Sequence, residues 1–185
     1  MALVVLLRGV NVGGHRTFRP SILAKQLKRF DAINIGAAGT FVVLEKTSRT
    51  RLHAELKRRL PFNTEIIICR GSEIVRLVSE NPFGHERLGP NTVRFVSILS
   101  RRPQQVPILP VTFPPSGTRL LKIIAAKGRF VFGVYRRHMK VIGYLGKIDQ
   151  LFDVPLTTRN WNTIAQIANV VDGKRYRSDR KQAQR

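Results

Sequence analysis

Residues 33–45 read Ile-Asn-Ile-Gly-Ala-Ala-Gly-Thr-Phe-Val-Val-Leu-Glu, which is an extended run, a glycine-bounded turn and a β-branched, aromatic run. This pattern predicts two strands joined by a tight turn. On either side of them, apolar residues at helical spacing predict helices over 20–30 and 52–60. Farther out, the apolar runs 3–7 and 65–70 predict two more strands.

This order of elements, β-α-β-β-α-β over residues 3–70, is typical of the split βαβ arrangement called ferredoxin-like. Right-handed crossovers and short connections leave few alternatives. A short helix is predicted over 72–79, and Asn-Pro-Phe-Gly at 81–84 then breaks the chain. We therefore assign residues 1–80 to a ferredoxin-like half.

The second half, residues 81–171, is predicted to be a looser version of the first. Its predicted elements are a strand over 92–99, an irregular proline-rich stretch over 103–115, strands over 119–125 and 129–135, and an amphipathic helix over 161–171. The predicted fold class is therefore α+β, with two packed ferredoxin-like (α-β plait) halves of which the second is degenerate. Residues 172–185 carry six Lys or Arg, two Asp and no apolar periodicity, which predicts a disordered basic tail.

The charge balance is the most unusual property of the chain. It has 33 Lys and Arg against 11 Asp and Glu, a net charge of +22 at pH 7. Charge of this size favours polyanionic partners, of which nucleic acid is the most common. The alternative is a solvated basic surface in a protein with another kind of partner, and the basic helix positions Lys25, Lys28, Arg29, Lys57, Arg58 and Arg59 are solvated faces by default.

Compartment and membrane association follow from three further features. The single cysteine, Cys69, excludes an intramolecular disulfide and lies in an apolar run typical of a buried strand. The apolar stretch 2–7 is too short for a signal-peptide core, and no stretch approaches the roughly 18–20 apolar residues that span a bilayer. The cytoplasm is therefore the predicted location, and no membrane partner is expected.

The first candidate site is the glycine-rich segment Gly9-Val-Asn-Val-Gly-Gly14, between a predicted strand and a predicted helix. Glycines let backbone amides approach a phosphate, and Arg8, His15 and Arg16 add positive charge. The segment is neither a P-loop nor a dinucleotide fingerprint. The alternative is a turn that requires positive φ at its glycines.

The second candidate site is Thr158-Arg-Asn-Trp-Asn-Thr163, around the only tryptophan. Arg159 is suited to a two-pronged contact with a carboxylate or phosphate, and Thr158 or Asn160 is suited to capping a helix. The alternative is structural: Trp161 anchors the final helix and its polar neighbours bond to nearby backbone.

The third candidate is the strand 129–135 with its flanking basic residues. Phe130 and Phe132 fall on one face, next to Arg129, Arg136 and Arg137, and exposed rings of this kind stack on bases. The alternative is that both rings belong to the core, which is the ordinary preference of phenylalanine.

Metal and catalytic sites are not indicated. His15, His53, His85 and His138 have no metal-ligand spacing to one another or to Cys69. No Ser/His/acid or Cys/His set is recognisable, so no catalytic residue, metal or cofactor is predicted.

The segments Leu6–Gly14, Asn81-Pro82-Phe83 and Thr158–Thr163, in this order, resemble a widespread bacterial family, domain of unknown function 1697. The resemblance covers nearly all of residues 1–170. It implies a pair of α-β plaits and brings no established activity.

The chain departs from that family's pattern at two places. Ala37-Ala38-Gly39-Thr40 stands where members usually have Gln-Ser-Gly-Asn, so two polar side chains are missing. Residues 135–147 retain Gly143 and Gly146 of a stretch resembling Gly-x-Gly-x-Ser-Lys but lack its serine. If those polar positions form a shared site in the family, part of it is lost here.

Three functional hypotheses follow. The first is non-specific nucleic-acid binding, with Arg8, Arg16, Arg129, Phe130, Phe132, Arg136, Arg137 and the tail as contacts. The second is a ligand or enzyme site for a small phosphate- or carboxylate-bearing molecule, formed by Arg8, Asn11, Gly13, Gly14, His15, Arg159, Asn160 and Asn162. The third is a homo-oligomeric scaffold that assembles through sheet edges.

Overall fold

The computed structural model describes residues 1–11, 17–84, 89 and 91–182, with side chains as far as Gly173. The chain is an α+β protein with two antiparallel sheets. It divides into two compact units: Met1–Glu80 with the residues from Thr163 onward, and Asn81–Asn162. Among the described residues, no helix is long and apolar enough to cross a membrane.

The first unit follows the predicted order of elements. They are β1 (Leu3–Leu7), α1 (Pro20–Gln26), β2 (Ala32–Asn34), β3 (Thr40–Val43), α2 (Arg49–Arg59), β4 (Ile66–Arg70) and α3 (Gly71–Glu80). A short 3-10 turn, Lys28–Phe30, takes up the end of the longer helix that the sequence predicts. The sheet order is β2-β3-β1-β4, and all neighbouring strands are antiparallel.

The core of the first unit explains why β1 reads as a continuous apolar run. Every residue of β1 is buried, and Val5 pairs with Phe41 of β3 and Ile68 of β4. Leu23 of α1 and Leu52 of α2 belong to the same buried cluster as these strands. The outward faces of α1 and α2 are therefore left to the polar and basic residues.

The second unit is a five-stranded antiparallel sheet with two short helices. Its elements are β5 (Thr92–Leu99), β6 (Val111–Phe113), β7 (Leu121–Lys127), β8 (Phe130–Arg136), α4 (Val141–Leu145), α5 (Ile148–Phe152) and β9 (Leu156–Asn160). The sheet order is β6-β7-β8-β5-β9. The sequence interpretation missed β6, α4, α5 and β9, each of which is three to five residues long.

The last helix differs most from the sequence interpretation. The sequence predicts a helix over 161–171 in the second half and a disordered tail after it, whereas α6 spans Trp161–Gln182 and groups with the first unit from Thr163 onward. The grouping has a packing reason, because a Cβ on Gly71 of the first unit would lie 2.9 Å from Val171 Cγ1. Residues 172–182 include several Lys, Arg and Gln, which favour helix. Their backbone therefore continues the helical turns that precede them.

Candidate functional site

Asn11, the polar residue of the glycine-rich segment, is used by the fold itself. Its Nδ2 donates to the Ala37 carbonyl at 2.7 Å, and its Oδ1 accepts the Phe18 N–H at 3.0 Å. Asn11 has a φ of 55° and Gly9 a φ of 61°, as the turn interpretation requires. Gly13, Gly14, His15 and Arg16 lie outside the described residues.

Replacing Asn11 with alanine is expected to lower the free energy of unfolding by about 1–2 kcal/mol, because a carbonyl and an N–H lose their partners. Urea unfolding followed by far-UV circular dichroism measures the change. Asn11→Gly keeps the favourable φ and isolates the two hydrogen bonds, while Asn63→Ala, at an exposed asparagine of the same unit, is the control. A change below about 0.5 kcal/mol for Asn11→Ala would remove the structural role.

The backbone of Arg8, which follows β1 and precedes the glycine-rich segment, makes two hydrogen bonds. The Arg8 N–H donates to the Glu65 carbonyl at 3.0 Å, and the Thr64 hydroxyl donates to the Arg8 carbonyl at 2.5 Å. The Arg8 side chain is half-buried. Contact between the Arg8 side chain and a ligand stays a prediction.

Arg159 lies in the interior rather than at a solvent-facing surface. Its side chain is 7% exposed, and its Nη1 donates to Thr157 Oγ1 at 2.7 Å and to the Thr158 carbonyl at 2.8 Å. Burial lowers the pKa of the guanidinium to about 10. Asn160 and Asn162 beside it are exposed. The structural interpretation of this motif is therefore better supported than ligand binding by Arg159.

Trp161 brings two of the recognised sequence segments together. The ring of Phe83, from the Asn-Pro-Phe segment, lies edge-on to Trp161 with centroids 5.0 Å apart, and 6.2 Å from the ring of Phe132. The Arg94 guanidinium lies 5.3 Å from the Phe83 ring centroid. These distant sequence segments therefore form one aromatic cluster inside the second unit.

The prediction that Phe130 and Phe132 stack on bases is wrong. The two residues are only 9% and 1% exposed, because the face of β8 that carries them is buried. Arg129 is half-buried, and its Nη1 lies 3.4 Å from the Ser100 carbonyl that accepts from it. Arg136 and Arg137 are exposed at the opposite end of β8.

A basic cavity of about 490 Å³ lies at that end of β8. Its cationic and titratable lining residues are Arg136, Arg137, His138 and Lys140. Its remaining walls are Pro114, Thr118, Leu120 and Tyr144. The sequence signal for this cavity is the basic run 136–140 at the end of a predicted strand. In the sequence interpretation, Arg136 and Arg137 of this run serve only as the basic neighbours of Phe130 and Phe132.

A second concentration of charge, which we call the basic helical face, consists of Arg29, Arg51, Arg58 and Arg59 around Glu55 and Phe30. Glu55 pairs with Arg29, Arg58 and Arg59 at 2.5, 2.6 and 2.5 Å. The guanidinium carbons of Arg29 and Arg51 lie 4.7 and 5.8 Å from the Phe30 ring centroid. The hydrogen bond from Arg58, aided by Arg59 and the charge of Arg29, holds the pKa of Glu55 below its usual value.

The sequence interpretation treats these helix positions as separate solvated faces. Lys25 and Lys28 near Arg29, and Lys57 near Arg58, are exposed as well. Residues 29 and 55 are 26 positions apart, so only the packing of the 3-10 turn Lys28–Phe30 and of α2 on one core brings their charges together.

Metal binding finds no support in the described part of the chain, where no group of three His, Cys, Asp or Glu side chains is placed to hold an ion. Cys69 is a buried thiol in β4, as its apolar surroundings predict.

Comparison with protein families gives a match over residues 1–112 to the family described as protein of unknown function DUF1697. The chain belongs to this family. The matched range includes the Leu6–Gly14 and Asn81-Pro82-Phe83 segments, and it ends before Thr158–Thr163. DUF1697 membership confirms the resemblance seen in the sequence and assigns no activity.

A solved structure with a similar fold is that of the conserved bacterial protein SP0830 from Streptococcus pneumoniae. The TM-score is 0.60 and the identity 14%, over 92% of this chain and 98% of that chain. At that identity the likeness concerns the fold alone. A comparison with curated proteins found no match.

Proposed function

We propose that this DUF1697 protein binds nucleic acid through phosphate groups, without reading sequence, and that the basic helical face makes the main contact. The supporting observation is that Arg29, Arg51, Arg58 and Arg59 gather around one carboxylate, that of Glu55, or around the Phe30 ring beside it. Part of the excess positive charge is thus concentrated on one surface of the first unit.

The arrangement suits phosphate contacts in two ways. Arginine presents its N–H donors as a planar fork that matches phosphate oxygens, and side chains held by Glu55 lose less conformational freedom on binding. The side chains of Arg29 and Arg58 remain 50% and 67% exposed although they pair with Glu55. They can therefore reach a ligand without unfolding the cluster.

The burial of Phe130 and Phe132 limits the proposed binding mode to contacts with phosphate groups. Without those rings, stacking on bases at β8 is not part of the binding mode. What remains is attraction to the backbone, which every nucleic acid offers and which depends steeply on salt because bound phosphates release counterions.

Charge removal from the basic helical face tests this function. Arg51→Gln with Arg58→Gln is expected to weaken binding of labelled RNA, single-stranded DNA and duplex DNA roughly tenfold at low salt, since two phosphate contacts are lost. The slope of log affinity against log salt is expected to fall by about 1.4–1.8 in magnitude. Fluorescence anisotropy over a salt series, with nuclease-treated protein, measures both.

The matched control is Arg101→Gln with Arg102→Gln, two exposed arginines of the second unit. It removes the same charge, so an equal loss of affinity in both variants would mean that net charge alone attracts the ligand. No binding by the unaltered protein at low salt would exclude nucleic acid as its partner.

We infer that the first unit is a ferredoxin-like plait, because its order of elements and its sheet order β2-β3-β1-β4 are those of a split βαβ unit. The second unit, with sheet order β6-β7-β8-β5-β9, is then the degenerate partner. A cytoplasmic location fits a nucleic-acid ligand.

The other two hypotheses differ in support. A ligand site at the glycine-rich segment has less support, since the Asn11 side chain is engaged by the Ala37 carbonyl and the Phe18 N–H and Arg159 is buried. Assembly through sheet edges stays a prediction, which sedimentation velocity at several protein concentrations tests.

A further inference from the structure

The basic cavity of the second unit combines dense positive charge with a concave shape. Arg136, Arg137, His138 and Lys140 line it, and no Asp or Glu is among its lining residues. All four are exposed, and within the described ranges none of the side chains of Arg136, Arg137 and Lys140 is ion-paired with a carboxylate. Their charges are therefore available to a ligand.

The frame that carries these side chains is held by backbone hydrogen bonds. The Arg136 N–H donates to the Leu120 carbonyl at 2.8 Å, and the Leu120 N–H donates to the Phe113 carbonyl at 2.8 Å. The ring of Tyr144 stacks on Phe113 with centroids 5.8 Å apart. The cavity is therefore formed before any ligand enters, which lowers the entropic cost of binding.

The ring of His138 is also oriented by a hydrogen bond to the backbone. Its Nδ1 accepts the Lys140 backbone N–H at 3.2 Å, so the neutral ring carries its proton on Nε2. Nε2 then adds a hydrogen-bond donor to those of the two arginines and the lysine.

We propose that this cavity binds a small molecule through a phosphate monoester group. A monoester carries about 1.5 to 2 negative charges at pH 7 and three strong acceptor oxygens, which matches several cationic donors converging on one site. A carboxylate carries a single charge and leaves most of these donors unused. A phosphodiester inside a strand also carries a single charge, so it too leaves most of these donors unused.

The size of the cavity leaves room for an organic part beside the phosphate. About 490 Å³ falls within the range of roughly 300–1,000 Å³ that is typical of small-molecule sites. The cavity also has a largely apolar part, formed by Pro114, Leu120 and the ring of Tyr144. This part is suited to the base or sugar of a nucleotide, or to the ring of a sugar phosphate.

This site is separate from the nucleic-acid proposal, because the basic helical face belongs to the first unit and the cavity to the second. Isothermal titration calorimetry on the full chain, with inorganic phosphate, adenosine 5′-monophosphate, glucose 6-phosphate and adenosine, tests it. We expect saturable binding of inorganic phosphate and tighter binding of at least one ester, with no binding of adenosine. The two esters distinguish a nucleotide from a sugar phosphate as the ligand.

Arg136→Gln with Arg137→Gln is expected to weaken binding of the preferred ester by roughly tenfold or more, since charge-assisted hydrogen bonds are lost. Arg101→Gln with Arg102→Gln, and Arg51→Gln with Arg58→Gln, remove the same charge elsewhere and are expected to change this affinity less than about twofold. Far-UV circular dichroism, with the fluorescence of Trp161 for the second unit, verifies that each variant is folded, and Lys140→Gln is a second, single-site test.

Three results would overturn the proposal: no saturable binding of phosphate or of either ester, equal binding of adenosine, or unchanged affinity in folded Arg136→Gln/Arg137→Gln protein. Tighter binding of a 5′-phosphorylated oligonucleotide than of the same oligonucleotide without the phosphate, if this difference is lost in Arg136→Gln/Arg137→Gln, would replace the small molecule by a strand end. None of these outcomes tests the basic helical face, whose role is tested by the salt series with Arg51→Gln/Arg58→Gln.

Discussion

Replacing Gly133 with alanine is expected to lower the free energy of unfolding of the second unit by about 3 kcal/mol. Gly133 lies in β8 opposite Phe95 of β5, whose ring is fully buried over it. A Cβ at this position would lie 2.5 Å from Phe95 Cε1 and even closer to Phe95 Cζ and the Lys122 carbonyl oxygen. A backbone carbonyl in a central strand pair has little freedom to move away, so the ring and the strand would both have to shift.

Urea unfolding measures this effect, with Trp161 as the probe because its contact with Phe83 places it in the second unit. The midpoint is expected to fall by about 1 M or more with an unchanged slope. Gly143→Ala is the matched control, since a Cβ there meets nothing within 4 Å. Alanine in that helical position is expected to be neutral or to stabilise by up to about 1 kcal/mol. An unaltered midpoint for Gly133→Ala would contradict the packing described for this sheet.

Replacing Gly39 with alanine is expected to destabilise the first unit by about 3 kcal/mol, for two reasons that add. Its φ of +67° costs an alanine about 1–2 kcal/mol, and its Cβ would lie 2.6 Å from Val10 Cγ2 and 3.0 Å from Leu7 Cβ. The Gly39 carbonyl also accepts the Leu7 N–H at 2.9 Å, so the turn before β3 and the end of β1 are closely joined.

Amide hydrogen exchange in β1 and β3 measures the loss locally, and far-UV circular dichroism measures it over the whole chain. Gly36→Ala separates the two causes, because Gly36 has a φ of +77° and a Cβ added there would meet no atom within 4 Å. It is expected to cost only the backbone strain, about 1 kcal/mol. If both variants lose the same stability, the close approach to Val10 contributes nothing.

Gly39 also belongs to the stretch in which the chain departs from the family pattern. Ala37 and Ala38 beside it are exposed, and the Ala37 carbonyl accepts the Asn11 side chain, whereas Thr40 is buried. The turn is therefore held through its backbone and its glycine, without a polar side chain at position 37 or 38.

The first unit could be predicted from the sequence because its signals are local. Five buried apolar residues in a row, 3–7, indicate a strand covered on both faces, and the glycine-bounded turn at 36–39 joins two strands without a helix between them. In the second unit the same reasoning found β5, β7 and β8. It missed β9, since Leu-Thr-Thr-Arg-Asn becomes a strand only by pairing with β5.

The candidate sites depended on tertiary structure to a greater degree. Alternation places Phe130 and Phe132 on one face of β8, but a period of two does not say whether that face meets solvent or the interior. Likewise, arginine ordinarily lies at the surface, whereas Arg159 is buried with Thr157 Oγ1 and the Thr158 carbonyl among the acceptors of its N–H groups.

The sequence by itself determined the order of elements in residues 3–70, the family and the net charge of +22. These properties depend on residue type and on neighbours a few positions apart. Only the tertiary structure decided where that charge gathers. Arg29, in the turn after α1, meets Glu55 of α2 because both elements pack on one core. The basic residues after β8 line a cavity because the fold places them beside Pro114, Thr118, Leu120 and Tyr144. Contacts between residues far apart in the chain are set by the fold, and no local pattern records them.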